Sequence, residues 1–489
     1  MSSGFDDQPL AFLTYDVYYW LVTQILTENT RGFDLGRLLN AFGRSKDPKE
    51  PVPLAHNGMH ALIELRKFLR DPKSYLFTKE AEIGPIFKMN FLGSQSVILL
   101  GPDANELVFV NREQAFMNQP AWEEQIGRYF RGGLLLRDGA EHRAHRLMMN
   151  FAFTDAALRS YVEDMQRVIK RRLDRFPTGD HPPFLLYNEI KQMTLEVASE
   201  VFLGERDVAL VRKLNKAFLD IVQASGPGNI NPFAIPGTLT HRGDVGRQLL
   251  EDYIDARIEK KRDSDDRDFF ALLARGETRK ADRFNNEELV DHLIFLMMAA
   301  HDTSTMTAST LFYYLAKNLA YQEKCRDEVF ALGNGPIEYD DLDKLPLIEY
   351  GMQEALRLMP PLPYTTRRAV KDVEFEGKRI RAGENVMIAP LHTHFMPSLW
   401  TDPERFDPLR FSPERAEHKR HRFGYVPFGG GVHKCIGMRF AELEVRTLVA
   451  HALQRYRFYV PEGYELPLNF TSLPIPADGL PIRIERVKG

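Results

Sequence analysis

Between Asn285 and Asn318 the chain runs "NNEELVDHLIFLMMAAHDTSTMTASTLFYYLAKN" without a glycine or a proline. At 1.5 Å per residue such a helix is roughly 50 Å long, the width of a sizeable domain. The rest of the chain must wrap around it. Asn285, with Glu288 three residues on, has the form of a capping box and marks the start. Midway, "AAHDTST" sets polar residues into a stretch that otherwise looks buried. Asp and Thr side chains offer the backbone competing hydrogen bonds, which predicts a weakened or widened turn there. That is a poor way to build a core helix and a reasonable way to build a site.

Around this rod the expected fold is mainly α with a smaller β part. Helical spacing dominates from about 134 to 330, as in "DAALRSYVEDMQRVIKRRLDRF". Residues 83–110 read as strands, a turn at Gly101-Pro102 and then a helix. Short strands and proline-rich turns fill 360–411, and "FAELEVRTLVAHALQRY" is a further helix. No repeat or long linker divides the 489 residues, although they exceed the ~250–300 at which single cores usually stop growing. Lys+Arg 64 against Asp+Glu 68 argues against a nucleic-acid binder, so any charged partner must meet a local patch.

"MSSGFDDQPL" has neither the basic start nor the apolar run of a signal peptide. "AFLTYDVYYWLVTQIL" (11–26) carries Asp16 and falls short of the ~20 residues a spanning helix needs. A packed N-terminal helix and a helix lying on a membrane surface are the two readings of it. The expected location is cytoplasmic, with membrane association if that segment meets a bilayer.

Two cysteines cannot make a disulfide framework or a four-cysteine metal site. Cys325 lies in a charged helical pattern, "YQEKCRDEV", and reads as structural. Cys435 lies in "FGGGVHKCIG", after three glycines that let the backbone approach something flat and bulky. A reactive or metal-bound sulfur is a thiolate, which needs donors and positive charge nearby.

Four elements, in order, resemble the cytochrome P-450 family of haem-thiolate monooxygenases. "FGGGVHKCIG" resembles the cysteine-ligand loop and "AAHDTS" the oxygen-activation motif on the long central helix. "EALR" followed by "PP" resembles the Glu-x-x-Arg pair, Glu354 and Arg357, and "FDPLRF" supplies its partner Arg410 in preference to Arg405 of "PERF". The resemblance runs from about residue 80 to the C-terminus. It implies a P-450 fold with the central helix over the haem and the cysteine loop beneath. Residues 1–75 would then be an N-terminal extension and first helix, and 76–489 one haem-thiolate catalytic domain.

The resemblance implies haem b with an axial thiolate from Cys435, which favours O–O cleavage. Phe428, Gly429 and Gly437 would shape the loop, Phe428 screening the sulfur and Gly437 letting the next helix approach the porphyrin. His142, Arg146, Arg367 and His433 would hold the propionates, with Arg368 competing with Arg367. His433 stands where most of the family has arginine, a departure shared with the sterol 14-demethylase branch. Asp302 and Thr303 would relay protons, with His301 beside them; Ala300 replaces a frequent glycine. Buried Glu354, Arg357 and Arg410 would be structural.

The pocket walls implied are Phe116, Met117, Ala299, Thr307, Pro363, Tyr364, Leu473 and Ile475, with "NPFAIPGTL" (231–239) as roof. Their apolar character suits a hydrophobic substrate such as a sterol, fatty acid or terpenoid. O2 would be the co-substrate. The chain ends about 50 residues past Cys435, so a separate ferredoxin- or flavodoxin-type donor with its reductase is expected. "HKRHR" (418–422), Lys434 and Arg439 would meet that donor. A haem-thiolate isomerase or peroxygenase, or a non-catalytic haem sensor, are the alternatives.

Overall fold

The computed structural model describes residues 52–55, 60–91, 94–177, 181–226, 229, 233–276, 283–333 and 335–487. The segment 11–26 and residues 231 and 232 of the expected roof lie outside these. Among the described residues no helix is long and apolar enough to cross a membrane.

The elements that position the site follow in chain order. They are α1 (His60–Arg70), β1 (Ile86–Phe91), β2 (Ser94–Leu99), α2 (Pro102–Val110), β3 (Phe116–Met117), α3 (Gln119–Phe130) and α4 (Gly139–Asn150). Then come α5 (Leu186–Leu203), α6 (Val208–Ser225), α7 (Leu239–Asp255), α8 (Asn286–Lys317) and α9 (Pro346–Leu358). The strands β4 (Thr365–Ala369) and β5 (Asn385–Ile388) precede α10 (Met438–Arg455). The result is a mostly helical body with a smaller β part.

The long rod is α8. Asn285 Oδ1 accepts the Glu288 N–H at 2.9 Å and Glu288 Oε2 accepts the Asn285 N–H at 3.0 Å, so the capping box is complete. The expected widening at "AAHDTST" does not occur, for α8 is continuous. Thr303, Thr305 and Thr307 each donate a hydroxyl to the carbonyl one turn back, on Ala299, His301 and Thr303, at 2.8 Å. These bonds sit beside the helical ladder and leave it intact, which is the physical reason for the difference.

α5 packs along α8, joined by a buried hydroxyl contact between Thr194 and Thr305 at 2.7 Å. α10 lies in the same hydrophobic core, where Leu293, Leu311, Leu448 and Val449 are all buried. The main sheet runs β1-β2-β5-β4-β3, with β2 and β5 parallel and the other neighbours antiparallel. Leu65 and Phe68 of α1 pack with Phe87 of β1 and Met387 of β5, which fixes α1 on the sheet. Arg128–Asp244 and Arg131–Glu251, both at 2.8 Å, tie α3 to α7. Phe233 and Ile235, between α6 and α7, are exposed apolar residues.

Candidate active site

From Leu289 to Tyr313 every residue of α8 is buried except Met298, Ala299, Ala300, Asp302 and Thr303. This window locates a recess against the centre of the rod. Asp302 and Thr303 open on it, while His301 beside them is fully buried, edge-on to Phe218 at 5.7 Å. Lys191 of α5 faces Asp302 Oδ1 at 3.2 Å and His301 Nδ1 faces it at 3.1 Å. Burial alone would raise the Asp302 pKa; His301 and Lys191 overcome it and hold the carboxyl well below the usual range. The other ring nitrogen of His301, Nε2, lies 3.3 Å from the Lys191 carbonyl.

The cysteine loop is folded back on itself, with the Gly429 N–H donating to Val426 O at 3.0 Å and the Cys435 N–H to Phe428 O at 2.9 Å. Gly431 has φ 63, and a Cβ there would fall 1.8 Å from the Phe109 carbonyl oxygen, so no side chain fits where the loop presses on the end of α2. Gly437 differs: a Cβ would meet nothing within 4 Å. Its missing side chain leaves open room just before α10. Cys435 retains exposed surface, yet burial pushes its thiol pKa up, as for a sulfur lining a recess. The Gly437 N–H, Arg146 and Lys434 pull the other way and favour thiolate. Cys325 is fully buried and its thiol pKa is raised by burial, as an inert cysteine requires.

His142, Arg146, Arg367 and His433 come together from α4, β4 and the loop. The His142 and His433 rings lie 3.9 Å apart, and His433 Nε2 is 3.3 Å from Asp138 Oδ1. Burial lowers the His142 pKa to about 3, helped by His433 and Arg146. Burial also lowers Arg367 to about 10, with Asp138 opposing. The Arg367 guanidinium donates only to the Thr365 hydroxyl at 3.1 Å and the Thr366 carbonyl at 2.7 Å. Among the described residues the two guanidinium groups of this partly dry site thus have one nearby carboxylate, Asp138, which acts on Arg367 and is shared with His433. A bare buried charge is costly, so the site suits a dianion. Haem brings two carboxylates, and the empty space at Gly437 and the recessed sulfur suit its flat body. Arg368, the competitor, instead faces Glu124 of α3 at 2.9 Å.

Beneath the loop lies a second cluster, and it is compensated. Arg357 grips Glu354 with two bonds at 2.7 and 2.8 Å, and Arg410 Nε donates to Glu354 Oε1 at 3.0 Å. Arg405 contributes only its carbonyl. Sequence reasoning missed Glu417, which accepts from Arg410 at 2.9 Å and balances the second guanidinium. It also missed His394, whose Nδ1 is 3.2 Å from Arg357 O and whose Nε2 accepts the Val426 N–H at 3.2 Å. That buried ring links α9 to the cysteine loop. Glu444 of α10 was missed too: burial pushes its pKa up to about 8, opposed by the Ser304 hydroxyl next to Thr303. None of these three residues carries a local sequence signal.

The expected pocket walls are mixed. Ala299 is half-exposed in the α8 window, and Thr307 is buried one turn beyond Thr303. Phe116 packs in the core of the sheet with Phe109 and Ile388, while Met117 is exposed. Pro363 is buried, and Tyr364 stands 5.3 Å from Phe68. Leu473 and Ile475 are half-buried at the β-hairpin of residues 468–476. On the outer face, Arg439 pairs with Asp155 and donates to Tyr339, Arg420 faces Glu417 at 3.7 Å, and His421 faces Asp103 at 3.7 Å. The expected basic patch is therefore partly neutralised.

Known proteins match this architecture over nearly its whole length. The family described as Cytochrome P450 matches residues 48–480. A Mycobacterium tuberculosis protein named as cytochrome P450 136 is 38% identical over 456 residues, covering 91% of this chain and 92% of its own. Abscisic acid 8'-hydroxylase 2 of Arabidopsis thaliana is 28% identical over 450 residues, covering 90% of this chain and 91% of its own. The solved structure of retinoic acid bound cyanobacterial CYP120A1 superposes with TM-score 0.76 at 27% identity, over 87% of this chain and 96% of that one. The chain belongs to the cytochrome P450 family, as a bacterial-type haem monooxygenase with cysteine-ligated haem b as its cofactor.

Proposed function

We propose that this enzyme hydroxylates or oxidatively demethylates a lipophilic molecule, such as a sterol, fatty acid or terpenoid, with electrons from a separate ferredoxin- or flavodoxin-type donor and its reductase. The observation that carries this reading is the acid–alcohol pair Asp302–Thr303, set in the open window of a helix that is otherwise buried. Relatives named for abscisic acid and a taxane, and a neighbour bound to retinoic acid, support a lipophilic substrate. A cytoplasmic location, with peripheral membrane contact at most, goes with this reading.

Haem held through Cys435 supplies the activation of dioxygen. The protein's own residues do the rest. The Gly437 N–H, Arg146 and Lys434 favour the thiolate form of the sulfur, against the burial that raises its pKa. Arg367, Arg146, His142 and His433 would seat the propionates by charge-assisted hydrogen bonds. Thr303 already donates its hydroxyl proton to Ala299 O at 2.8 Å, so its lone pairs are free to hold a water in the recess. Asp302, ionised between His301 and Lys191, takes protons from the Lys191 side and passes them toward that water.

Product formation from a panel of sterols, fatty acids, retinoids and terpenoids, driven by NADPH and surrogate ferredoxin and reductase, tests the reading. Oxygenated product from at least one lipid is expected. Turnover with hydrogen peroxide alone and none with the electron donor would favour the peroxygenase alternative instead.

A further inference from the structure

Asn118 stands at the start of α3, one turn before Trp122, so the two side chains share a helix face. Asparagine at this position ordinarily caps its own helix by accepting an N–H of the first turn. Here its side chain makes no such bond. Asp138, at the start of α4, does the capping from outside, accepting the Asn118 N–H at 3.0 Å and the Gln119 N–H at 2.8 Å. The same carboxylate faces His433, so the first turn of α3 is fixed against the cysteine loop. The carboxamide released from capping is fully buried, and neither Oδ1 nor Nδ2 has a partner. Trp122 Nε1 is likewise buried without one. Unmade hydrogen bonds in a dry interior are costly, and the two donors, Asn118 Nδ2 and Trp122 Nε1, call for an acceptor.

The geometry points to Asn118 and Trp122 as a two-donor seat for a carboxylate beside the haem pocket. The charge of the surroundings selects that class: among the described residues Asp138 is the one carboxylate that acts on Arg367, it also faces His433, and none acts on Arg146, so an anionic oxygen is favoured over a neutral carbonyl or hydroxyl. Its source is either a haem propionate or the carboxylate of a bound lipid. This inference rests on reading Arg146, Arg367, His142 and His433 as the propionate side of the pocket.

The test uses the full-length haem-loaded protein and the variants Asn118→Leu, Trp122→Phe and Arg367→Ala. Trp122→Phe keeps most of the ring and removes only the N–H, so it carries the test if Asn118→Leu does not fold. Haem release to excess apomyoglobin is followed first, then spectral titration with dodecanoic acid and its methyl ester. Haem release faster by roughly 10–100-fold, with an unchanged unfolding midpoint, assigns the seat to a propionate, since that is the size of a hydrogen bond to a charged group. Unchanged haem release, with loss of a wild-type preference for acid over ester, assigns it to the substrate. If neither quantity changes while Arg367→Ala still speeds haem release, the seat is overturned and the propionate reading stands. If Arg367→Ala releases haem at the wild-type rate, the underlying reading fails and the seat with it.

Discussion

Two charged clusters flank the cysteine loop, and they are built on opposite principles. Under the loop, Arg357 and Arg410 face Glu354 and Glu417, all four at most 3% exposed, each guanidinium with its carboxylate. Beside the loop, Arg146 and Arg367 stand with two histidines and, among the described residues, only Asp138 as a carboxylate. The first cluster is complete within the polypeptide and serves structure. The second is incomplete, and on the proposed reading its surplus charge is what the propionates of the cofactor would balance. Charge balance thus separates groups that hold the fold from groups that hold a ligand, even where both are buried.

The largest effect should come from Cys435→Ala, which removes the thiolate altogether. The band of the ferrous–CO complex at the thiolate position should vanish. Its survival would transfer ligation to Cys325, which lies buried in the core.

Next in size is Asp302→Asn, which keeps the shape and removes the proton-exchanging group. A loss of about 10²–10⁴-fold in turnover is expected for one general acid–base group. Thr303→Ala should still bind substrate and accept electrons but form less product per NADPH consumed, with hydrogen peroxide making up the difference. Unchanged coupling in Thr303→Ala would remove the α8 window from the chemistry.

Glu354→Ala or Arg357→Ala breaks the compensated cluster and strands a buried charge, at a cost of about 3–5 kcal/mol. Little folded haem protein should accumulate. Normal yield and normal thermal stability would mean that water or another group reaches this cluster.

The smallest effect concerns Glu444. The folded protein holds its carboxyl proton up to about pH 8, whereas an unfolded glutamate releases it near its usual value of ~4.3. Between those values the folded state binds more protons, so this residue makes stability fall as pH rises. Urea midpoints at pH 5.5 and 8.5 should differ less in Glu444→Gln than in wild type. An identical pH dependence would place a compensating cation near Glu444.

Much of this was legible in sequence because it is local. The capping box at Asn285, the glycines before Cys435 and the Glu-x-x-Arg spacing each lie within a few residues. Arg410 was separable from Arg405 by its place in the order of strands and turns. What escaped was non-local. Glu417 reads as one charge in a polar loop until Arg410 is folded against it, and His394 reaches Val426 across 32 residues. Asp138 looks like an ordinary helix cap for α4, yet it caps α3 instead. The polar run "AAHDTST" misled for a different reason: its hydroxyls are satisfied one turn back within the helix, which a pattern of residue types does not reveal.

The most direct test sets one arginine of each cluster against the other. Arg357→Ala and Arg367→Ala are compared with wild type by thermal unfolding of protein produced without haem, and Arg367→Ala also by haem release after loading. Haem-free Arg367→Ala should unfold at or above the wild-type temperature, because an uncompensated buried charge has gone, while its haem release is faster. Haem-free Arg357→Ala should unfold well below wild type. Equal destabilisation of both haem-free variants would contradict the distinction between a compensated cluster that holds the fold and an uncompensated one that holds the cofactor.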